Sequence, residues 1–76
     1  MNANQKRAHA FKQAVLVYCK HKGIDLDEEG LYTVVTDLLT DALHFANVHD
    51  QESLDLAAQS EVAEMHFAEE TQEDGE

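Results

Sequence analysis

The chain has no proline and no tryptophan, one cysteine, and only three glycines in 76 residues. Because Cys19 has no partner within the chain, no internal disulfide can form, and a lone cysteine is typical of a reducing compartment. The scarcity of turn residues and of β-branched runs favours helices over a sheet. The N-terminus lacks the apolar run of a signal peptide, and no stretch reaches the roughly 18 apolar residues of a membrane span. We therefore expect a cytoplasmic protein that does not contact a membrane.

Basic residues are absent after position 22. All five lysine and arginine residues lie in the first 22 positions, where there is no acidic residue, and all sixteen acidic residues lie from Asp25 onward. The net charge of −11 disfavours direct binding of nucleic acid through the whole surface, because phosphates require positive charge. An acidic surface suits either solubility alone or a basic protein partner.

The strongest periodic pattern is the stretch LYTVVTDLLTDALHFANV, from Leu31 to Val48. Its apolar residues recur at steps of three and four, which places them in one arc of an amphipathic helix: Leu31, Val34, Val35, Leu38, Leu39, Ala42, Phe45 and Ala46. Tyr32 and Leu43 widen this arc. Since so wide an arc needs cover from more than one neighbour, we expect the central helix of a small bundle, with Leu38 almost fully buried.

The first predicted helix runs from about Ala3 to Lys22, and Gly23 follows at the position that commonly ends a helix. Its apolar stripe comprises Ala8, Phe11, Ala14, Val15, Tyr18 and Cys19. Asp25 or Asp27 is expected to cap the second helix, which settles only at Leu31 because Gly30 lowers helix propensity.

The third predicted helix runs from about Gln51 to Glu69, with Asp50 as its cap. Its stripe comprises Leu54, Ala58, Val62, Met65 and Ala68, and a weaker row on another face comprises Leu56, Ala63 and Phe67. The ending EETQEDGE is acidic and has no apolar residue, which is typical of disorder. We therefore predict an all-α fold, in which residues 1–70 form a single three-helix bundle domain and residues 71–76 form a disordered acidic C-terminal tail.

The stretch TDLLTDALHFA, followed some twenty residues later by AEMHFAEE, resembles a pattern in short acidic helical proteins encoded by bacteria and their phages or plasmids. The matching positions are Asp37, Leu38, Leu39, Asp41, His44, His66, Phe67 and Glu70. The resemblance covers roughly half of the chain and implies a small helical domain of mobile-element type, with no implied reaction chemistry. Where that family tends to have a tyrosine after the second histidine, this chain has Phe67.

Two groups of polar residues have the helical spacing of metal ligands. Asp37, Asp41 and His44 lie at i, i+4 and i+7, and His66 and Glu70 lie at i and i+4. If their faces met, carboxylate and imidazole groups could converge on a metal ion. The alternative, which we favour, is polar groups at the bundle boundary, with no metal and no cofactor; the residual metal candidates are Asp41, His44, His66 and Glu70.

Two enzymatic interpretations are weaker. Helical nucleotide pyrophosphohydrolases place paired acidic residues on two helices around magnesium, and the nearest equivalents here are Asp37 with Asp41 and Glu61 with Glu64. A chain of 76 residues lacks the length for that substrate pocket. Cys19 lies on an apolar stripe, which favours a buried, inert thiol over a nucleophile.

The function predicted from the sequence is that of a non-enzymatic, acidic interaction protein. It would bind a basic surface on a host or phage protein, and one concrete version is a nucleic-acid mimic whose helical carboxylates replace phosphates. The predicted partner-binding residues are Asp37, Asp41, His44, Glu61 and Glu64. One alternative is a homodimeric structural or assembly adaptor that uses Leu16, Val17, Leu43, Leu56 and Phe67. A second alternative is a small metal-binding helical protein.

Overall fold

The computed structural model describes residues 1–49 and 53–74, and these ranges contain no strand. Four helices are present there: α1 (Ala3–Lys22), α2 (Leu26–Glu29), α3 (Leu31–His49) and α4 (Leu56–Asp74). The all-α fold is thus confirmed, with three long helices and one additional single turn, α2. Within the described residues, none of the helices combines the length and the apolar composition that a membrane span requires.

The ends of α1 are satisfied by neighbouring residues. The Asn2 side chain accepts from the backbone N–H of Gln5 over 2.7 Å, and the Gln5 side chain accepts from the Asn2 N–H over 2.9 Å, which is a capping box. Gly23 ends the helix with φ at 71°, and the N–H of Ile24 donates to the carbonyl of Cys19 over 3.0 Å. This Schellman-type ending confirms the predicted bounds of α1.

The turn between α1 and α3 contains α2. The side chain of Asp25 accepts from the N–H of Asp27 over 2.8 Å and caps α2, so Asp25 rather than Asp27 is the cap. Gly30 separates α2 from α3 with φ at 87° and ψ at 152°. α3 begins at Leu31, as predicted.

α4 begins five residues later than the predicted start at Gln51, because it starts at Leu56. The Asp55 side chain accepts from the N–H of Ala58 over 3.1 Å, so Asp55 occupies the capping position. The predicted cap Asp50 and residue Gln51 lie outside the described residues.

α4 also ends later than predicted, because it continues to Asp74. Residues 71–74 of the expected disordered tail are therefore helical, while residues 75 and 76 lie outside the described ranges. No residue between the start of α4 and Gly75 breaks a helix, since this segment contains neither proline nor glycine. The hydroxyl of Thr71 donates to the carbonyl of Phe67 over 3.0 Å, within the last turns of α4.

The packing is arranged around α1, which contacts both α3 and α4. Val15 and Cys19 of α1 and Val34 of α3 are the buried core among the described residues, with 1%, 4% and 0% of their surface exposed. α3 and α4 make little direct contact. The prediction that the Leu31–Val48 helix is central is therefore wrong, and α1 takes that position.

Most of the apolar arc of α3 remains accessible to solvent. α1 packs on the side of α3 that carries Val34, Leu38 and Asp41, and Leu38 is only half-buried. Leu31 and Phe45 are exposed. The expected near-complete burial of Leu38 is thus wrong, because no second long helix covers the other side of the arc.

The rotation of α4 differs from the prediction. Four members of its expected core stripe, Ala58, Val62, Met65 and Ala68, are exposed, whereas Leu54, which precedes α4, is half-buried. The weaker row borders grooves toward the other helices with little burial: Leu56 and Ala63 line a groove with Leu39 of α3, and Phe67, which is 67% exposed, lines one with Ala8 of α1. Two contacts hold this rotation, because Arg7 forms an ion pair with the Glu70 carboxylate at 3.2 Å and Asn4 donates to the Glu70 carbonyl at 2.9 Å.

Candidate functional site

A polar cluster joins α1 to α3. Tyr18 and Lys22 lie one turn apart on α1 and therefore point in the same direction. The Tyr18 hydroxyl donates to Oδ2 of Asp41 over 2.6 Å, and Nζ of Lys22 lies 3.0 Å from the same oxygen. Lys22 Nζ also lies 6.0 Å from the centre of the Tyr18 ring. The Asp41 carboxylate is thus engaged by two groups of α1.

The cluster changes the proton affinity of both titratable partners. The hydrogen bond to Asp41 is the main cause that raises the pKa of Tyr18 to about 12, followed by partial burial and by the negative charge of Asp41. The hydrogen bonds from Tyr18 and then Lys22 lower the pKa of Asp41 below its ordinary value. Both shifts favour the protonated tyrosine and the ionised carboxylate, which is the pair that forms the hydrogen bond.

We expect Tyr18→Phe to lower the free energy of unfolding at neutral pH, and this loss to depend on pH. A raised pKa in the folded state gives stabilisation that is fully present below pH 10.0 and is lost as the pH rises through about 12. A lowered pKa at Asp41 gives stabilisation that is present above pH 3.8 and is lost as the pH falls through the lowered value. The difference between wild type and Tyr18→Phe should therefore shrink at both extremes.

Urea unfolding followed by circular dichroism, repeated across this pH range at low protein concentration, measures that difference. Tyr32→Phe is the matched control, because the Tyr32 side chain is 87% exposed. Tyr32→Phe should leave stability unchanged throughout. Equal stability of wild type and Tyr18→Phe at neutral pH would show that packing of the ring, which phenylalanine keeps, rather than the hydrogen bond to Asp41 stabilises the pair.

The predicted partner-binding carboxylates have two different environments. Asp37 on α3 and Glu61 and Glu64 on α4 are exposed, and none of them forms an ion pair within residues 1–49 and 53–74. His44 is also exposed. Asp41 differs, because its carboxylate is half-buried and bonded to α1. Of the four predicted carboxylates, Asp37, Glu61 and Glu64 are therefore the three without an ion pair in the described residues.

The four residual metal candidates do not form a common site. Asp41 is bonded to Tyr18 and Lys22, and Glu70 is paired with Arg7 on another part of α1. Across the described ranges, no group of three or more His, Cys, Asp or Glu side chains is arranged to hold a metal ion.

The contacts that position Asp41 and Glu70 were missed in the sequence because they join distant segments. The charge distribution contained the relevant information, since every lysine and arginine of the chain lies in residues 1–22. An acidic side chain on a packed face of α3 or α4 can therefore find a lysine or arginine partner only on α1. Cys19, by contrast, is buried in the core as predicted.

Comparisons with protein-family models, with curated proteins and with solved structures gave no significant match to this chain. The resemblance to short acidic helical proteins of phages and plasmids consequently stays a prediction.

Proposed function

We propose that this chain is a non-enzymatic interaction protein that binds a basic surface of another protein through carboxylates on α3 and α4. The observation that carries the proposal is the set of three exposed carboxylates, Asp37, Glu61 and Glu64, without ion pairs in the described part of the chain. Groups that are already exposed and unengaged can meet a cationic partner without first breaking an internal contact.

The distribution of charge supports a basic rather than an acidic partner. The lysine and arginine residues are confined to α1 and its end, while the chain from Asp25 onward carries sixteen acidic residues. A field of one sign over α3 and α4 steers a protein of opposite charge toward this side of the molecule.

A nucleic-acid mimic is the concrete version of this function that we propose. Carboxylates on a helix are held at fixed spacing, as phosphates are on a duplex, and a factor that binds phosphates through lysine and arginine can accept them instead. Asp41 is left out of the proposed contact set because it is bonded to α1. The proposed location is the cytoplasm, as expected for a chain with a lone cysteine.

Neutralising the three free carboxylates tests the proposal. The variant Asp37→Asn, Glu61→Gln, Glu64→Gln should lose partner capture from a lysate of the encoding organism, because it removes the charges that meet the basic surface. A matched control removes the same number of charges elsewhere by Glu28→Gln, Glu29→Gln and Glu73→Gln, which are exposed positions. Quantitative mass spectrometry compares the two variants with wild type.

A supporting result has three parts. The captured protein is lost with the first variant and kept with the control, its affinity falls steeply as salt rises, and nucleic acid competes for the complex. Equal capture by both variants would contradict a contact through Asp37, Glu61 and Glu64. Capture that survives an excess of nucleic acid would contradict the mimic and leave a simple acidic contact.

A further inference from the structure

One side of α3 carries an apolar face that the rest of the chain leaves partly open, with Tyr32, Leu39 and Leu43 exposed and Val35, Ala42 and Ala46 half-buried. We call it the open face, and its members are Tyr32, Val35, Leu39, Ala42, Leu43 and Ala46. Leu39 and Leu43 are 42% and 43% exposed, and Tyr32 is 87% exposed. The spacing of Tyr32, Val35, Leu39, Ala42 and Ala46 alternates three and four residues, the repeat with which two helices pack side by side.

The molecule as a whole exposes more surface than a compact monomer of its mass. Its accessible area is 6228 Å², whereas a compact monomer exposes about 4,700 Å². Its radius of gyration is 14.3 Å, against about 11 Å for a compact chain of this length. The excess area of roughly 1,500 Å² is larger than the ~800 Å² that each partner contributes to a standard interface. One additional partner can therefore be accommodated.

We propose that the open face is covered by a second copy of this chain, with the two α3 helices packed antiparallel about a two-fold axis. The axis passes between Leu39 and Ala42, so that Leu39 of each copy lies against Ala42 of the other. Val35 then lies against Ala46 of the other copy. A two-fold arrangement of this kind uses the same surface on both chains.

The sizes of the side chains favour a second copy in this orientation. The first half of the repeat carries the large residues Tyr32, Val35 and Leu39, and the second half carries the small residues Ala42 and Ala46. An antiparallel pair places Leu39 opposite Ala42 and Val35 opposite Ala46, which fills space without overlap at these two central positions, while Tyr32 lies opposite His49 at the edge of the contact. A parallel pair would place Leu39 against Leu39 and leave a gap at the alanines. The face is therefore complementary to itself only when one copy is reversed.

The repeat of the open face contains no acidic side chain. The two acidic residues of α3, Asp37 and Asp41, lie outside the repeat, and Asp41 contacts α1. The neighbouring groove between α3 and α4 continues the apolar surface and is lined by uncharged residues: Leu39, Leu54, Leu56, Gln59, Ser60 and Ala63. The open face and the free carboxylates are different parts of the surface, so the dimer does not depend on the proposed function.

Exchange of the facing residues tests the pairing. Leu39→Ala alone should weaken the dimer about tenfold or more, which is the loss expected when a residue that dominates binding at the centre of an interface is truncated. Ala42→Leu alone should also weaken it, because two leucines would then compete for one position. The double variant Leu39→Ala, Ala42→Leu should restore association, because each large residue again faces a small one. Sedimentation equilibrium from low to high micromolar protein measures all four proteins.

The double variant distinguishes a contact of Leu39 across the dimer from a contact of Leu39 with α4 within one chain. An internal role would not be repaired by Ala42→Leu on the same helix, so failure of the double variant to associate overturns the proposed pairing. Val62→Glu on the outward side of α4, where the side chain is 50% exposed, is the matched control and should associate as wild type does. Circular dichroism at low concentration establishes that each variant is helical.

The salt dependence identifies the occupant of the open face. Two chains with a net charge of −11 each repel one another, and salt screens this repulsion. Self-association should therefore strengthen as salt rises, opposite in sign to binding of a basic protein. If the wild-type chain stays monomeric at high micromolar concentration in high salt, a second copy does not cover the open face. This result would leave the test of Asp37, Glu61 and Glu64 unaffected, because that test concerns a different surface.

Discussion

We expect Val34→Asp to leave this chain largely unfolded at 25 °C. Val34 is 0% exposed and packs with Val15 and Cys19, the other buried side chains of the described core. A carboxylate at this position has no partner in the core, and burial of an unpaired charge costs several kcal/mol. A chain of this length has a total stability of only about 4–11 kcal/mol. The substitution therefore removes most or all of it.

The neighbouring substitution Thr33→Asp is the control for Val34→Asp. It introduces the same charge one residue away, at an exposed position in the first turn of α3, where a negative charge is tolerated. Far-UV circular dichroism and urea unfolding should show a folded Thr33→Asp variant and little helix for Val34→Asp. A cooperative transition near the wild-type midpoint for Val34→Asp would mean that the packing of α1 on α3 is wrong.

The second large effect is expected from Gly30→Ala. Gly30 has φ at 87° and ψ at 152°, a combination that residues with a side chain rarely adopt. A Cβ there would meet nothing within 4 Å, so the cost is conformational rather than steric. We expect the free energy of unfolding to fall by about 1–3 kcal/mol, because the turn between α2 and α3 must either strain or open.

Gly23→Ala provides the comparison for Gly30→Ala. Gly23 lies in the ordinary left-handed region, with φ at 71° and ψ at 32°, where alanine costs roughly 1 kcal/mol. Urea unfolding should therefore rank the variants as wild type, then Gly23→Ala, then Gly30→Ala. The reverse order would indicate that the α2–α3 turn adapts at little cost and does not fix the start of α3.

The bounds of α1 and the start of α3 could be predicted because local residues set them. Gly23 ends α1 in the left-handed conformation, and Gly30 separates α2 from α3, so that α3 begins at Leu31. Such effects depend on the conformational preferences of single residues, which a sequence displays directly.

The rotation of α4 could not be predicted, because contacts with α1 set it. Periodicity identified Ala58, Val62 and Met65 as a stripe, but an apolar row on a helix does not specify which side meets a neighbour. The ion pair between Arg7 and Glu70 joins residues from opposite ends of the chain. Such contacts exist only once the fold exists, and no local pattern contains them.

The exposure of three candidate residues follows from their charge, whereas the environment of Asp41 depends on a contact with another helix. The acidic positions Asp37, Glu61 and Glu64 were identified by charge, and the structure places them on the surface. Asp41 was grouped with them because of its spacing on the helix. The structure separates it from them, because Tyr18 and Lys22 from another helix reach its carboxylate.

The small core formed by Val15, Cys19 and Val34 also determines how the chain responds to temperature. The heat capacity change of unfolding grows with the apolar surface that folding removes from water. For a typical chain of this length, this heat capacity change is about 1 kcal/mol/K. A monomer that buries so little apolar surface falls below that value. Its stability curve is consequently flat, so that the folded fraction changes little near room temperature. Heat then unfolds the isolated chain gradually, over a wide interval rather than at a sharp midpoint.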